Sequence, residues 1–213
     1  MIHTVKQGEH LSGIAKQYGF TDFRTIWDRS ENAEIKEKRK NPNILYPGDK
    51  LFVPDKEEKE ESGETEECHH FKLKGTSLKL RLVINDVGQQ PLANTPCELH
   101  VGAKVYELTT DDNGQIEQTI PKDAKEGFLL FKDPQVPFEQ GIPIKIGHLD
   151  PVEEVSGQKA RLNNLGYNAG PLDGADEEKL LWAIQEFQCD QRLTVDSICG
   201  PSTQAKLKEI HGC

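Results

Sequence analysis

Thirteen consecutive residues, Asp55 to Glu67, carry no apolar side chain. Such a stretch has nothing to bury against the entropy of ordering, so no core can run through it. It predicts a solvated acidic tether over residues 55–70 and makes the 213-residue chain fold as separate pieces on either side. Hydrophobic residues make up 35% and charged residues 29%, which favours several small cores over one large one. The net charge is −10, and about −6 of it falls within residues 55–69. An acidic chain lacks the Lys and Arg excess that displaces phosphate counterions, which argues against a nucleic-acid partner.

Before the tether, Ile2, Thr4 and Val5 suggest a short strand. Leu11, Ile14, Ala15 and Tyr18 then follow the i, i+3, i+4, i+7 spacing of one helix face, and Gly19 is placed to end that helix. Phe23, Ile26 and Trp27 predict a second helix with Asp22 as its cap. Glu31 to Lys40 reads as a polar stretch. Asn41-Pro42-Asn43 and Tyr46-Pro47-Gly48-Asp49 read as turns, and Lys50 to Val53 as a second strand. The order is strand, helix, helix, strand.

His3 to Leu11, Ile14-Ala15, Tyr18-Gly19 and Asn43 to Leu51 together resemble a LysM domain over residues 1–54. The resemblance implies a βααβ fold and a shallow groove for N-acetylglucosamine polymers. Its walls would be Gly8, Glu9, His10 and Leu11 on one side and Asn43, Ile44, Leu45, Tyr46 and Pro47 on the other. Acetamido groups need backbone N–H and C=O partners, and sugar rings need flat apolar contacts. Gly8 and Gly48 would allow close backbone approach, and Leu11, Ile44 and Leu45 an apolar floor. A core role for Leu11 and Leu45 stays open beside that one. Arg29 to Lys40 is longer and more charged than the usual link in this family. It resembles LysM variants of phage-tail and contractile-injection proteins.

After the tether, residues 71–149 read as strands. Leu78, Leu80, Leu82 and Ile84 alternate with Lys79, Arg81 and Val83. Further strands are predicted at 97–101, 105–109, 116–120, 128–131 and 142–146, with turn chemistry at Asp86-Val87-Gly88 and Asp111 to Gly114. The pattern predicts a small antiparallel β-sandwich and resembles the immunoglobulin-like or carboxypeptidase-regulatory-like sandwiches used as spacers.

Residues 150–213 change period again. Helices are predicted around Val155 to Leu165, Leu180 to Phe187 and Ala205 to Ile210, separated by two related turns, Gly170 to Gly174 and Asp196 to Pro201. Leu162 to Tyr167, Gly170 to Gly174, Ala183 to Gln188, Leu193 to Asp196 and Gly200 to Thr203 resemble the three-helix peptidoglycan-binding domain. The resemblance implies a groove near the turns, with Tyr167, Asp173 and Gln185 as candidate peptidoglycan contacts. Ala175 to Lys179 departs from the family pattern. The fold class is thus multidomain α+β.

No catalytic constellation stands out. HExxH, GxSxG and P-loop patterns are missing from the sequence. Cys68-His69-His70 is metal-like but has no obvious fourth ligand, and neither a metal nor a cofactor is expected. Cys97 and His100 stand at odd spacing on one predicted strand, so they face opposite ways. The five cysteines leave at least one thiol outside intramolecular pairing, and Cys199 and Cys213 flank one helix as a possible disulfide.

Met1 leads straight into His3-Thr4-Val5 without a basic start or an apolar run. No segment approaches the roughly 20 apolar residues of a membrane span. The expectation is a protein made in the cytoplasm that acts in the periplasm or at the wall after delivery by an injection apparatus. The whole arrangement resembles uncharacterised proteins of type VI secretion clusters. That implies peptidoglycan as partner, with spike or baseplate proteins beside it. The rival readings are a peptidoglycan hydrolase, or a secreted effector, with an unrecognised active site in the middle segment.

Overall fold

The computed structural model describes residues 1–56, 77–86, 88, 90–132, 141–174 and 176–213. Most of the predicted tether, with Cys68-His69-His70, lies outside the described residues. The chain forms two compact units. One contains residues 1–86 and 91–148, the other residues 87–90 and 149–213.

The first unit opens with β1 (Ile2–Thr4), α1 (Leu11–Gln17) and α2 (Arg24–Trp27). After a 3-10 turn at Ser30–Asn32 come α3 (Ala33–Arg39) and β2 (Lys50–Phe52). β1 and β2 pair antiparallel, His3 opposite Leu51. The helical spacing read from the sequence packs as expected: Leu11, Ile14 and Ala15 meet Ile26, Trp27, Leu51 and Val53 in one core. The βααβ frame therefore stands, with α3 as an addition inside the stretch read as merely polar. Ile35 is the one α3 side chain that enters the core.

Asn32 ties this addition to the frame. It is buried, and its amide nitrogen donates to the carbonyls of Ile26 and Phe52, both at 2.8 Å, while its oxygen accepts the Phe52 N–H at 2.7 Å. One side chain thus bonds the end of α2 and both backbone groups of Phe52 in β2, tying the two elements together.

The rest of this unit is a sandwich. β3 (Leu78–Val83) pairs with β6 (Gln115–Ile120). The opposing sheet has the order β5-β4-β7-β8, from β4 (Pro96–Val101), β5 (Lys104–Thr109), β7 (Glu126–Phe131) and β8 (Ile142–Lys145). All pairings are antiparallel. Leu78, Ile84, Cys97, Leu99, Val101, Ile116 and Leu129 fill the space between the sheets, matching the period of two in the sequence. Cys97 points into this core, whereas His100 meets Glu98 at 3.2 Å on the other face, so they do not converge.

The second unit contains α4 (Val155–Asn164), α5 (Glu177–Asp190) and α6 (Pro201–His211) around Val152, Leu162, Tyr167, Ile184, Phe187 and Leu207. Pro201 sits in the first turn of α6 and Gly212 ends it in the left-handed conformation, the usual asymmetry of helix ends. No helix among the described residues is long and apolar enough to cross a membrane.

Replacing Asn32 by Ala removes three bonds to the backbone and leaves the Phe52 N–H and C=O without this partner. The expected loss is about 3 kcal/mol, read by urea unfolding of the first unit. Ser30→Ala, an exposed neighbour, is expected to stay within about 0.5 kcal/mol.

Candidate functional site

Two loops close one end of the β1/β2 frame. The first runs from Lys6 to His10. Glu9 is held there from two sides, its Oε2 accepting the Lys6 N–H at 2.8 Å and meeting His3 Nε2 at 2.9 Å. The other His3 nitrogen lies 3.0 Å from the Tyr18 hydroxyl. His10 caps α1, with Nδ1 accepting the Gly13 N–H at 3.4 Å. A backbone bond of 3.3 Å from Leu11 N to the Pro42 carbonyl joins this loop to the second.

Asp49 organises the second loop. Its carboxylate accepts Arg39 Nε at 2.7 Å, Arg39 Nη2 at 2.9 Å and the Tyr46 N–H at 2.9 Å. Arg39 and Asp49 side chains are only 5% and 6% exposed, so the pair works in a medium where loss of either charge is costly. The guanidinium also lies 5.6 Å from the centre of the Tyr46 ring. Burial alone would push the Asp49 carboxyl upward. Arg39 and the Tyr46 N–H outweigh it and hold the group below its ordinary range.

The expected wall residues divide. Asn43 is exposed, and Gly8, Glu9, Ile44, Tyr46 and Pro47 are half-buried at the rim of the two loops. Leu11 and Leu45 are 0% and 4% exposed and belong to the core, so neither forms a groove floor. Leu11 opens α1, and its side chain turns onto the helix face that packs inward.

His10 is also buried, for another reason: the first loop abuts the sandwich. Its ring bonds the backbone of Ala124, in the turn between β6 and β7, and burial lowers its pKa despite that bond. A Cβ placed on Gly8 would lie 2.7 Å from His148 Nε2. One on Gly147 would lie 2.8 Å from the Gly8 carbonyl oxygen. Both residues also have positive φ, 82° and 79°, so glycine is required twice over. Lys16 pairs with Asp123 at 2.7 Å, and the Lys122 ammonium donates to the Thr21 carbonyl. Sequence reading gave no hint of this contact, because glycine and alanine leave no periodic mark.

In the second unit, a constant spacing of 26 residues relates Lys159 to Gln185, Leu162 to Gln188, Tyr167 to Leu193, Pro171 to Ser197 and Gly174 to Gly200. The backbone bond Tyr167 N to Leu162 O, 2.9 Å, is repeated as Leu193 N to Gln188 O, 2.8 Å. Each helix also anchors the turn that follows it. Lys159 donates to the carbonyls of Gly174 at 2.7 Å and Pro171 at 3.3 Å, and Gln185 to the Ser197 hydroxyl at 2.5 Å. Gln188, fully buried, adds bonds to Asp196, Ser197, Ile198 and Thr203. The duplication legible in the sequence is a duplicated way of fixing two turns.

Among the candidate contacts of this unit, Asp173 and Gln185 are exposed. Tyr167 is not a surface contact. It is 4% exposed, stacks edge-on against Phe187 at 5.6 Å and donates to Asp190 at 3.0 Å. Burial and Asp190 push its phenol up to about 12. Cys199 and Cys213 are free thiols rather than a disulfide. The Cys213 sulfur lies 3.2 Å from His211 Nδ1, and burial pushes Cys199 up to about 11, so neither is poised as a thiolate. Among the described residues no cluster of His, Cys, Asp and Glu can hold a metal ion.

The family model of the LysM domain matches residues 3–54. The model described as "Putative peptidoglycan binding domain" matches residues 152–207. The chain carries both modules. The LysM match ends where β2 closes the frame, and the second match spans the two anchored turns. Comparison with curated proteins and with solved structures returned no match. Two peptidoglycan-binding modules on one chain give it a cell-wall-binding role.

Asp49→Asn removes the charge that offsets buried Arg39, and the LysM frame is expected to lose about 3 kcal/mol at pH 7. The pH dependence has a definite sign. The folded carboxyl has a depressed pKa, so its contribution is present above the unfolded value of about 3.9 and is lost as pH falls through the folded value. Urea midpoints measured from pH 6 downward should therefore fall more steeply for the wild type than for Asp49→Asn.

Proposed function

We propose that this protein binds peptidoglycan without cleaving it, as a component or cargo of a type VI secretion or phage-tail-like apparatus. The observation that carries the reading is the presence of one wall-binding module near each end of a single chain. Two weak sites on one chain gain through effective concentration, because the second contact forms without a second encounter. The LysM rim, Asn43, Ile44, Tyr46 and Pro47 with Gly8 and Glu9, holds the N-acetylglucosamine polymer. Asp173 and Gln185 hold stem peptide or glycan beside the anchored turns.

The non-catalytic part of the reading rests on how the rim's groups are used. Glycoside hydrolysis needs two carboxylates flanking the bond. Glu9 is engaged by His3 and the Lys6 N–H, and Asp49 is locked to Arg39. In the sandwich, Cys97 and His100 face apart. The injection-apparatus part rests on α3, the charged insertion that resembles LysM variants of such machines, and that context supplies a route to the wall. Docking on a spike or baseplate protein belongs to the same proposal.

Pelleting with purified sacculi tests it. The full chain should sediment, Ile44→Asp and Asp173→Ala should each weaken sedimentation, and the double variant should remain in the supernatant. Release of soluble muropeptides would contradict the non-catalytic reading. Wild-type protein left in the supernatant would end the wall-binding reading. In cells, disabling the contractile apparatus should keep the protein in the cytoplasmic fraction.

A further inference from the structure

The contact between the LysM module and the sandwich encloses a cleft of about 330 Å³, at the small end of the range for ligand pockets, about 300–1,000 Å³. One wall is α1 and the first loop, from Gly8 to Gln17. The other is the turn between β6 and β7, from Asp123 to Lys125. None of residues 41–47 lines it, so it is a different space from the groove between the two LysM loops.

We propose that this cleft is a composite saccharide site that takes a neutral acetamido sugar, with the sandwich supplying one wall. The inference rests on the wall-binding reading and assigns the sandwich a part in it beyond that of a spacer. Three observations carry it. First, the cleft's charges balance: Lys16 and Lys125 stand against Glu9 and Asp123. Lys16 and Asp123 pair at 2.7 Å, and Glu9 is held by His3 and the Lys6 N–H. A polyanion or a cationic peptide finds no net opposite field there, whereas a neutral hydrogen-bonding ligand does not need one. Second, the cleft mixes the groups such a sugar requires. The Gln17 amide and side-chain-free backbone at Gly8 supply polar contacts, and Ala124 an apolar face. Third, the two walls already stand against each other without a ligand, through the close approaches of Gly8 to His148 and Gly147 to Gly8 and the bond of Lys122 to Thr21.

The cleft also shares Gly8 and Glu9 with the LysM rim. A glycan lying along the rim can therefore pass one residue into the cleft without leaving the first loop.

The test is an amide-shift titration of the ¹⁵N-labelled full chain with tetra-N-acetylchitotetraose. The expected result is that Gly13, Gln17 and Asp123 to Lys125 shift together with Gly8 to His10, at one affinity. Lys125→Trp, which fills the cleft from the sandwich side, should lower that affinity about ten-fold. Lys104→Trp, at the β4–β5 hairpin, makes the same change of charge and size elsewhere on the sandwich and should leave it unaltered. Shifts confined to Gly8 to Leu11 and Asn43 to Pro47, with Lys125→Trp binding like wild type, would overturn the composite cleft and leave the LysM groove as the site. No shift anywhere in the first unit would overturn it too. Pelleting with sacculi then shows whether wall binding survives through the second unit or falls with it.

Discussion

Asp49 is the residue on which the closing end of the LysM frame depends. Its carboxylate takes two bonds from Arg39 and one from the Tyr46 N–H, its own N–H bonds the Tyr46 carbonyl, and its carbonyl accepts the Val5 N–H. Inserted helix, second loop and first strand are thereby fixed by one side chain and its peptide group. Because the ion pair is buried, its worth lies in what fails without it: an isolated guanidinium in the core is far costlier than the pair is favourable. The rim that presents Asn43, Ile44 and Tyr46 is therefore only as well ordered as this pair.

The second unit solves the same problem without an ion pair. Buried Lys159 and Gln188 are satisfied largely by turn carbonyls and amides, and Arg161 donates to the carbonyls of Asp150, Gly157 and Cys213. Buried polar side chains used this way specify turn geometry, since each shift of a turn would strand a polar group. In both units, then, the loops that carry candidate contacts are positioned from beneath by buried polar groups, while apolar packing holds the helices and strands.

The helices and strands were legible because their apolar residues repeat. Leu11, Ile14 and Ala15 mark α1, Leu78 to Ile84 marks β3, and the related turns betray the 26-residue duplication. α3 was not legible, because Ile35 is its single inward apolar residue and one residue has no period. Among candidate contacts, Asn43, Asp173 and Gln185 are exposed, and Ile44, read as groove floor, is half-buried at the rim. Sequence reading offered Leu11, Leu45 and Tyr167 as contacts because their motifs surround loops, yet each side chain turns into a core. His10 was read as a loop residue, and its burial depends on Ala124, more than a hundred positions away. A contact made by Gly8, Gly147 and Ala124 is set by the absence of side chains, which no hydrophobic pattern records.

The account's central claim is that both ends of one chain hold the same wall. The most direct measurement is the dissociation rate of the full chain from immobilised sacculi, compared with variants inactivated at one module, Ile44→Asp or Asp173→Ala. Bivalent binding predicts that the intact chain leaves at least about ten times more slowly than either variant. Equal rates for all three would mean that one module does all the holding, and would contradict the account.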